Sequence, residues 1–194
     1  MCLIIRKPVG RTIPAEFLAE AWIKNHDGYG WCYAENGVVR WGRGLDYQSA
    51  LLDVAQIPAD REAFIHVRRA TAGSITTELA HPFEVLPNLV LLHNGKLDIE
   101  VSAPNMSDTW QLVQQLHGAL SRHPARAVER IIRSVEFSAT LNDLVKGSVV
   151  VLFDRLGPVF YGKPWHVVTL AEWPELQGIE VSNTTTWSPR ACAR

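Results

Sequence analysis

The sequence has few cysteines, no long apolar run and no excess of charge of one sign. Its three cysteines, Cys2, Cys32 and Cys192, form no C-x-x-C spacing, which argues against a disulfide framework and a cysteine zinc site. No apolar run approaches the roughly 18–20 residues of a membrane span, and the N-terminus lacks a signal-peptide pattern. A net charge of -1 gives no general attraction to nucleic acid or anionic membrane. We therefore expect a cytoplasmic protein that uses neither as a partner.

Length and patterning predict one domain over residues 1–194, with 47% hydrophobic and 20% charged residues and enough chain to bury a sizeable core. Apolar runs predict strands near both ends, and helical spacing predicts helices between them. The predicted strands include Leu3–Ile5, Phe64–Arg68, Leu89–His93, Ser148–Phe153, His166–Leu170 and Gly178–Ser182, and the predicted helices begin near Pro14, Tyr47, Ser107 and Pro124. This order predicts a layered α+β domain in which the terminal strands meet at the centre.

Cys2 is the candidate nucleophile, because it directly follows the initiator methionine. Initiator methionine is normally removed before a small side chain, and its removal leaves the thiol beside a free α-amino group. A thiol pKa of about 8.5 and an amine pKa of about 7.7–8.0 allow the amine to take the thiol proton near neutrality. The alternative is that Cys2 is a small buried hydrophobic residue, the usual state of a free cysteine.

Further motifs follow Cys2 along the chain. They are Asp27-Gly28-Tyr29-Gly30, His66-Val67-Arg68-Arg69-Ala70-Thr71-Ala72-Gly73, His81-Pro82-Phe83, His93-Asn94-Gly95 and Ser107-Asp108-Thr109. In this order, behind an N-terminal cysteine, they resemble the class II glutamine amidotransferases, in particular the small stand-alone members of that N-terminal-nucleophile family. The resemblance covers roughly residues 2–110. It implies an αββα four-layer sandwich.

The resemblance implies that Cys2 attacks the side-chain amide of glutamine. The Asn94 side chain and the Gly95 backbone N–H would then form the oxyanion hole. The alternative for Asn94-Gly95 is a plain type I′ hairpin turn.

The resemblance also assigns the residues that bind the amino-acid end of the substrate. Arg68 matches the arginine that binds the α-carboxylate, and Thr71 supplies further hydrogen bonds. Asp108 matches the acid that pairs with the α-ammonium group, and His81 orders the loop beside them. The alternatives are a solvated or salt-bridged arginine for Arg68 and a helix cap for Asp108, since Gln111 follows three residues later.

Two groups of residues are predicted to have no catalytic or metal-binding role. Asp27 and its neighbouring glycines are expected to shape the loop beside Cys2. His66, His81 and His93 also fit a zinc triad, but no two of them form the short pair on one element that metal sites use. We therefore predict no metal ligands and no cofactor.

The sequence thus predicts a glutamine amidotransferase or glutaminase that releases ammonia through a Cys2 thioester. Because the glutaminase unit takes up the whole chain, the ammonia would pass to a separate synthetase, or the enzyme would be a free hydrolase. Two alternatives stay open: a hydrolase of another γ-glutamyl amide or peptide, and a catalytically silent binding scaffold. Leu3, Arg69 and Ala80 depart from the family pattern and leave the preferred substrate open.

Overall fold

The computed structural model describes residues 2–168 and 173–187. Cys192 and the end of the strand predicted at His166–Leu170 lie outside these described residues. None of the helices in the described ranges has the length and apolar character that a membrane crossing requires. The elements in chain order are β1 (Leu3–Lys7), α1 (Ala15–Lys24), β2 (Tyr29–Glu35), β3 (Val38–Gly44), α2 (Tyr47–Ala55), β4 (Ala63–Val67), β5 (Phe83–Leu86), β6 (Leu89–Asn94), α3 (Asp108–Leu120), α4 (Ala125–Ile131), α5 (Val135–Leu144), β7 (Val149–Asp154), β8 (Gly157–Gly162), β9 (His166–Val167) and β10 (Glu180–Val181).

The first sheet has six strands in the order β3-β2-β4-β1-β10-β9. Its strand β1 lies between β4 and β10 and pairs antiparallel with both, so that Ile5 is opposite Ile65 on one side and Val181 on the other. The predicted meeting of the terminal strands at the centre is therefore confirmed. This pairing fixes the segment that follows Cys2 in the middle of a sheet, where it does not fray.

The second sheet has four strands in the order β5-β6-β7-β8. Strand β6 is buried along its full length and pairs antiparallel with β7 from Leu89 opposite Asp154 to Asn94 opposite Val149. The chain between β6 and β7 passes through three helices. Asn94 and Gly95 therefore do not close a hairpin, and the hairpin alternative for this dipeptide is wrong.

The two sheets face each other, and helices cover their outer faces. Successive side chains of a strand point to opposite faces, so Ile4 lies between the sheets while Leu3 and Ile5 pack on the side of α1 and α2. Helices α3, α4 and α5 cover the second sheet. The core between the sheets contains Ile4, Cys32, Val39, Phe64, Val90, Leu92, Val149, Val151 and Phe153. The predicted αββα four-layer α+β sandwich is confirmed.

The sequence pattern predicts neither α5 nor β5. Helix α5 has Leu141 as its buried residue, so it carries a weak apolar pattern, and β5 spans only four residues. The cap of α3 is Ser107, whose side chain accepts a hydrogen bond from the Trp110 N–H. Asp108 is the first residue of the helix. The cap alternative for Asp108 is therefore wrong.

Candidate active site

A small pocket lies where β1 begins, β4 and β6 end, and α3 begins. Six of the seven predicted site residues line it: Cys2, Arg68, Thr71, His81, Gly95 and Asp108. The seventh, Asn94, is the last residue of β6. The cavity volume of the pocket is about 30 Å³. Larger cavities of about 310 and 490 Å³ lie beside α3, α4 and α5, and none of the predicted site residues lines them.

The Cys2 thiol lies against the backbone of Arg69. The Arg69 N–H donates to the Cys2 Sγ at 3.4 Å, and the Arg69 carbonyl oxygen is also 3.4 Å from the sulfur. Burial raises the pKa of the Cys2 thiol, while the Arg69 N–H and the Arg68 guanidinium act in the opposite direction. Because burial is the largest of these effects, forming the thiolate needs a base.

Arg68 is buried and has a free donor group. It follows the last residue of β4, is only 3% exposed, and donates from Nη2 to the carbonyls of Ala72 at 3.4 Å and Ser74 at 3.0 Å. Its Nη1 is buried without a hydrogen-bond partner in the described residues. The alternative of a solvated arginine is therefore wrong, and in the described part of the chain Arg68 forms no salt bridge. A buried guanidinium with an unused donor is suited to a carboxylate.

The Asp27-Gly28-Tyr29-Gly30 segment supports the loop that carries Arg68. The Asp27 N–H donates to the Arg68 carbonyl at 2.9 Å, and the Asp27 carboxylate accepts from the Ala70 N–H at 2.8 Å. A Cβ at Gly30 would lie 1.9 Å from the His81 carbonyl oxygen. Only glycine at this position therefore lets the loop that contains His81 approach β2. These contacts agree with the structural role expected for the segment.

Asp108 is the acidic residue that lines the pocket. Its Oδ2 accepts from the Leu97 N–H at 2.8 Å, and its Oδ1 accepts from the Thr109 N–H at 2.7 Å. These two bonds fix the carboxylate at the start of α3, where the helix dipole favours negative charge. Thr71, by contrast, lies on the exposed rim. The pocket thus has a cationic group and an anionic group beside the thiol.

Gly95 is held against Ser148 at the start of β7. Its φ is +145°, and a Cβ built on it would lie 2.2 Å from the Ser148 Oγ and 2.9 Å from the Ser148 Cα. Ser148 Oγ in turn accepts from the Lys96 N–H at 3.1 Å and donates to the Lys96 carbonyl at 3.0 Å. The close approach of the backbone to Ser148 beside the pocket therefore requires a residue without a side chain at position 95.

We expect Gly95→Ala to destabilise the fold by about 2–4 kcal/mol, because the methyl group meets backbone and side chain of Ser148. Urea denaturation measures this loss. Gly118→Ala is the matched control: Gly118 lies within α3 with nothing near its Cβ position, so alanine there should stabilise by about 0.5–1 kcal/mol. Equal midpoints for Gly95→Ala and the wild type would contradict the expectation.

Asn94 contacts a residue that the sequence analysis missed. It is 5% exposed, and its Nδ2 donates to the Oγ of Ser182 at 2.7 Å, while its Oδ1 is buried without a partner in the described residues. Ser182 follows β10 and is far from Asn94 in sequence. No motif marks Ser182, so only the pairing of β10 with β1 reveals it.

Three buried histidines lie beside the pocket. The rings of His66 and His81 have centroids 4.1 Å apart, and those of His81 and His93 are 6.5 Å apart. His93 Nδ1 bonds Thr109 Oγ1 at 2.7 Å, while the other five ring nitrogens find no partner in the described residues. Burial lowers the pKa of His66 to about 3, that of His93 to about 4, and that of His81 well below its usual value. Among the described residues no group of metal-binding side chains is placed to hold a metal ion.

We expect the free energy of unfolding to fall as the pH drops from about 6.5 toward 4. In this window the unfolded chain binds protons on these histidines and the folded chain does not, so each histidine contributes a slope of about 1.4 kcal/mol per pH unit. Urea titrations between neutral and acidic pH measure the slope. His66→Gln should reduce it, and His123→Gln, at an exposed position, is the matched control. The same slope in His66→Gln and wild type would contradict this origin.

Comparison with known structures finds this arrangement of sheets in amidotransferases. Glutamine phosphoribosylpyrophosphate amidotransferase from B. subtilis, complexed with ADP and GMP, aligns with a TM-score of 0.52 and 18% identity over 96% of this chain and 42% of that one. A structure of the allosteric regulatory enzyme of purine biosynthesis aligns with a TM-score of 0.53 and 17% identity over the same shares. A glutamine aminotransferase class-II domain protein from Silicibacter pomeroyi aligns over 93% of this chain and 87% of that one at 15% identity, and its TM-score of 0.43 adds nothing to the fold assignment. No family model and no curated protein matches the sequence.

The chain therefore has the fold of the matching part of these two solved enzymes, in agreement with the αββα fold that the sequence motifs implied. It spans 42% of the length of each of the first two solved chains. The similarity thus concerns one part of those enzymes.

Proposed function

We propose that the protein hydrolyses the side-chain amide of glutamine through Cys2 and releases ammonia. One observation carries the proposal: the Cys2 thiol, the buried Arg68 guanidinium, the Gly95 backbone and the Asp108 carboxylate line a single pocket. An amino acid with a side-chain amide presents the complementary set, since its α-carboxylate pairs with Arg68, its α-ammonium with Asp108 and its amide with Cys2. Thr71 and His81 complete the wall that faces the amino-acid end.

The chemistry begins with proton transfer from the thiol. Because burial raises the pKa of Cys2, the thiol is protonated near neutrality, and the α-amine of Cys2 takes the proton once Met1 is removed. The sulfur attacks the amide carbon while the Asn94 side chain and the Gly95 N–H stabilise the oxyanion. The carbon–nitrogen bond breaks, the amine returns the proton to the leaving ammonia, and water hydrolyses the thioester to glutamate.

The fate of the ammonia separates two forms of this proposal. A separate synthetase that docks over the pocket would take the ammonia, as expected for an amidotransferase subunit. Without one, the protein acts as a free hydrolase of glutamine or of another γ-glutamyl amide or peptide. The groups that bind the α-carboxylate and the α-ammonium of the substrate are the same in both forms. Measurements on a panel of γ-glutamyl amides and peptides therefore decide the substrate.

Trapping with a glutamine-analogue electrophile tests the nucleophile. We expect one adduct, on Cys2, and none on Cys32 or Cys192, when peptides are analysed by mass spectrometry. Cys32 is the internal control because it is buried between the sheets. Excess glutamine should slow the labelling of Cys2. Labelling that glutamine does not slow, or an adduct elsewhere, would contradict the proposal.

A further inference from the structure

The segment after β10 connects the strand of the nucleophile to the candidate oxyanion donor. Ser182 is buried, and its Oγ accepts from the Ile4 N–H at 2.9 Å while lying 2.7 Å from the Asn94 Nδ2. The Ser182 N–H also donates to the Ile4 carbonyl at 2.9 Å. One serine therefore bridges the two sheets between β1 and the end of β6.

The Asn94 amide can meet the Ser182 hydroxyl through either its nitrogen or its oxygen. With Nδ2 toward Ser182, the serine hydroxyl accepts two bonds, and Asn94 Oδ1 is a buried acceptor without a partner. Exchanging the amide oxygen and nitrogen, which are nearly the same size, lets the Ser182 hydroxyl donate to Asn94 Oδ1. Nδ2 then occupies the unpartnered position, and its N–H groups stay unpaired until an acceptor such as an oxyanion lies there.

Asn183, which follows Ser182, contacts the backbone of Cys2, the candidate nucleophile. Asn183 Nδ2 donates to the Cys2 carbonyl at 2.8 Å, and Asn183 Oδ1 accepts from the backbone N–H groups of Thr185 and Thr186, each at 3.0 Å. The bonds to Thr185 and Thr186 therefore fix the orientation of the Asn183 side chain that bonds Cys2. We refer to Ser182 and Asn183 as the Ser182-Asn183 clamp.

We propose that the Ser182-Asn183 clamp positions the catalytic groups: Ser182 orients the Asn94 amide so that its N–H groups face the oxyanion, and Asn183 fixes the backbone of Cys2. The proposal rests on the proposed amide hydrolysis and adds two positioning residues to it. The clamp acts in the transition state, because the oxyanion exists only there. Its loss should therefore lower kcat and leave KM nearly unchanged.

Kinetics of glutamine hydrolysis for Ser182→Ala, Asn94→Ala and the double variant test this dependence. We expect Ser182→Ala to lower kcat by roughly 10- to 100-fold, less than the loss of a whole oxyanion donor. Because Ser182 acts through Asn94, the double variant should be no slower than Asn94→Ala alone. Thr184→Ala, at an exposed position in the same segment, is the matched control. The proposal would be overturned if the fold-losses in kcat of the two single variants multiply in the double variant. It would also be overturned if Ser182→Ala changes only KM.

A second measurement does not depend on activity. The side-chain amide signals of Asn94 in a ¹H–¹⁵N NMR spectrum, assigned by their loss in Asn94→Ala, should shift in Ser182→Ala and stay in place in Thr184→Ala. Unmoved signals in Ser182→Ala would overturn the orienting role of Ser182. If the signals shift in Ser182→Ala but the wild-type protein hydrolyses no γ-glutamyl amide, the proposed function is overturned, and with it the catalytic part of the clamp.

Discussion

Cys2→Ala is expected to lower the rate of glutamine hydrolysis by about 10⁴-fold or more, because no other group in the pocket forms the thioester. Cys2→Ser should also be strongly impaired, since a hydroxyl is a weaker nucleophile than a thiol. The measurement is glutamate release under saturating glutamine. Both variants should keep the wild-type fold, because Cys2 precedes β1 and is not part of a core cluster of the described residues.

The matched control for the nucleophile is Cys32→Ala. Cys32 lies between the sheets, where burial raises the pKa of its thiol, so its replacement should leave kcat unchanged. Equal glutamate release by Cys2→Ala and wild type would show that a contaminating enzyme is responsible. Intact mass completes the test: wild-type protein that keeps Met1 should be inactive, because its Cys2 amine is then part of a peptide bond.

The second large effect is expected for Arg68→Ala, which should lower kcat/KM for glutamine by roughly 10²- to 10³-fold. The substrate carboxylate would then enter a buried site without its cation. Arg68→Lys keeps the charge but loses the two-pronged geometry, so its activity should be intermediate. Steady-state kinetics with glutamine measure both.

Substrate analogues make this prediction specific. For 4-aminobutanamide, which lacks the α-carboxylate, Arg68→Ala and wild type should be equally slow, whereas Asp108→Asn should still lose activity. For glutaramate, which lacks the α-amino group, the pattern should reverse: Asp108→Asn should match wild type and Arg68→Ala should lose activity. If Arg68→Ala loses as much on 4-aminobutanamide as on glutamine, Arg68 does not bind the α-carboxylate.

The sequence was sufficient to predict the elements and residues that a local sequence pattern marks. Apolar runs predicted β1, β6 and β7, and proline or serine before apolar spacing predicted the starts of α1 and α3. The motif order predicted which residues share the pocket, since Cys2, Arg68, Gly95 and Asp108 all line it. Such motifs work because the chemistry of the site restricts each residue type at a fixed place in the chain order.

The sequence was insufficient where a contact depends on distant pairing. Ser182 and Ser148 reach the pocket region only because β10 pairs with β1 and β7 pairs with β6. A serine at the end of a strand has no distinctive local pattern, so neither residue was predicted. Asn94-Gly95 shows the converse, because its local pattern favours a hairpin that the pairing of β6 with β7 excludes.

The placement of β1 between β4 and β10 also bears on when the site can assemble during synthesis. Strand β1 acquires its last neighbour only after Val181 has been made, and pairing over such a separation is slow. Pairing with β4 can form first, because β4 is complete once Val67 has been made. The contacts of Ser182 with Ile4 and of Asn183 with Cys2 are therefore among the last parts of the pocket region to form.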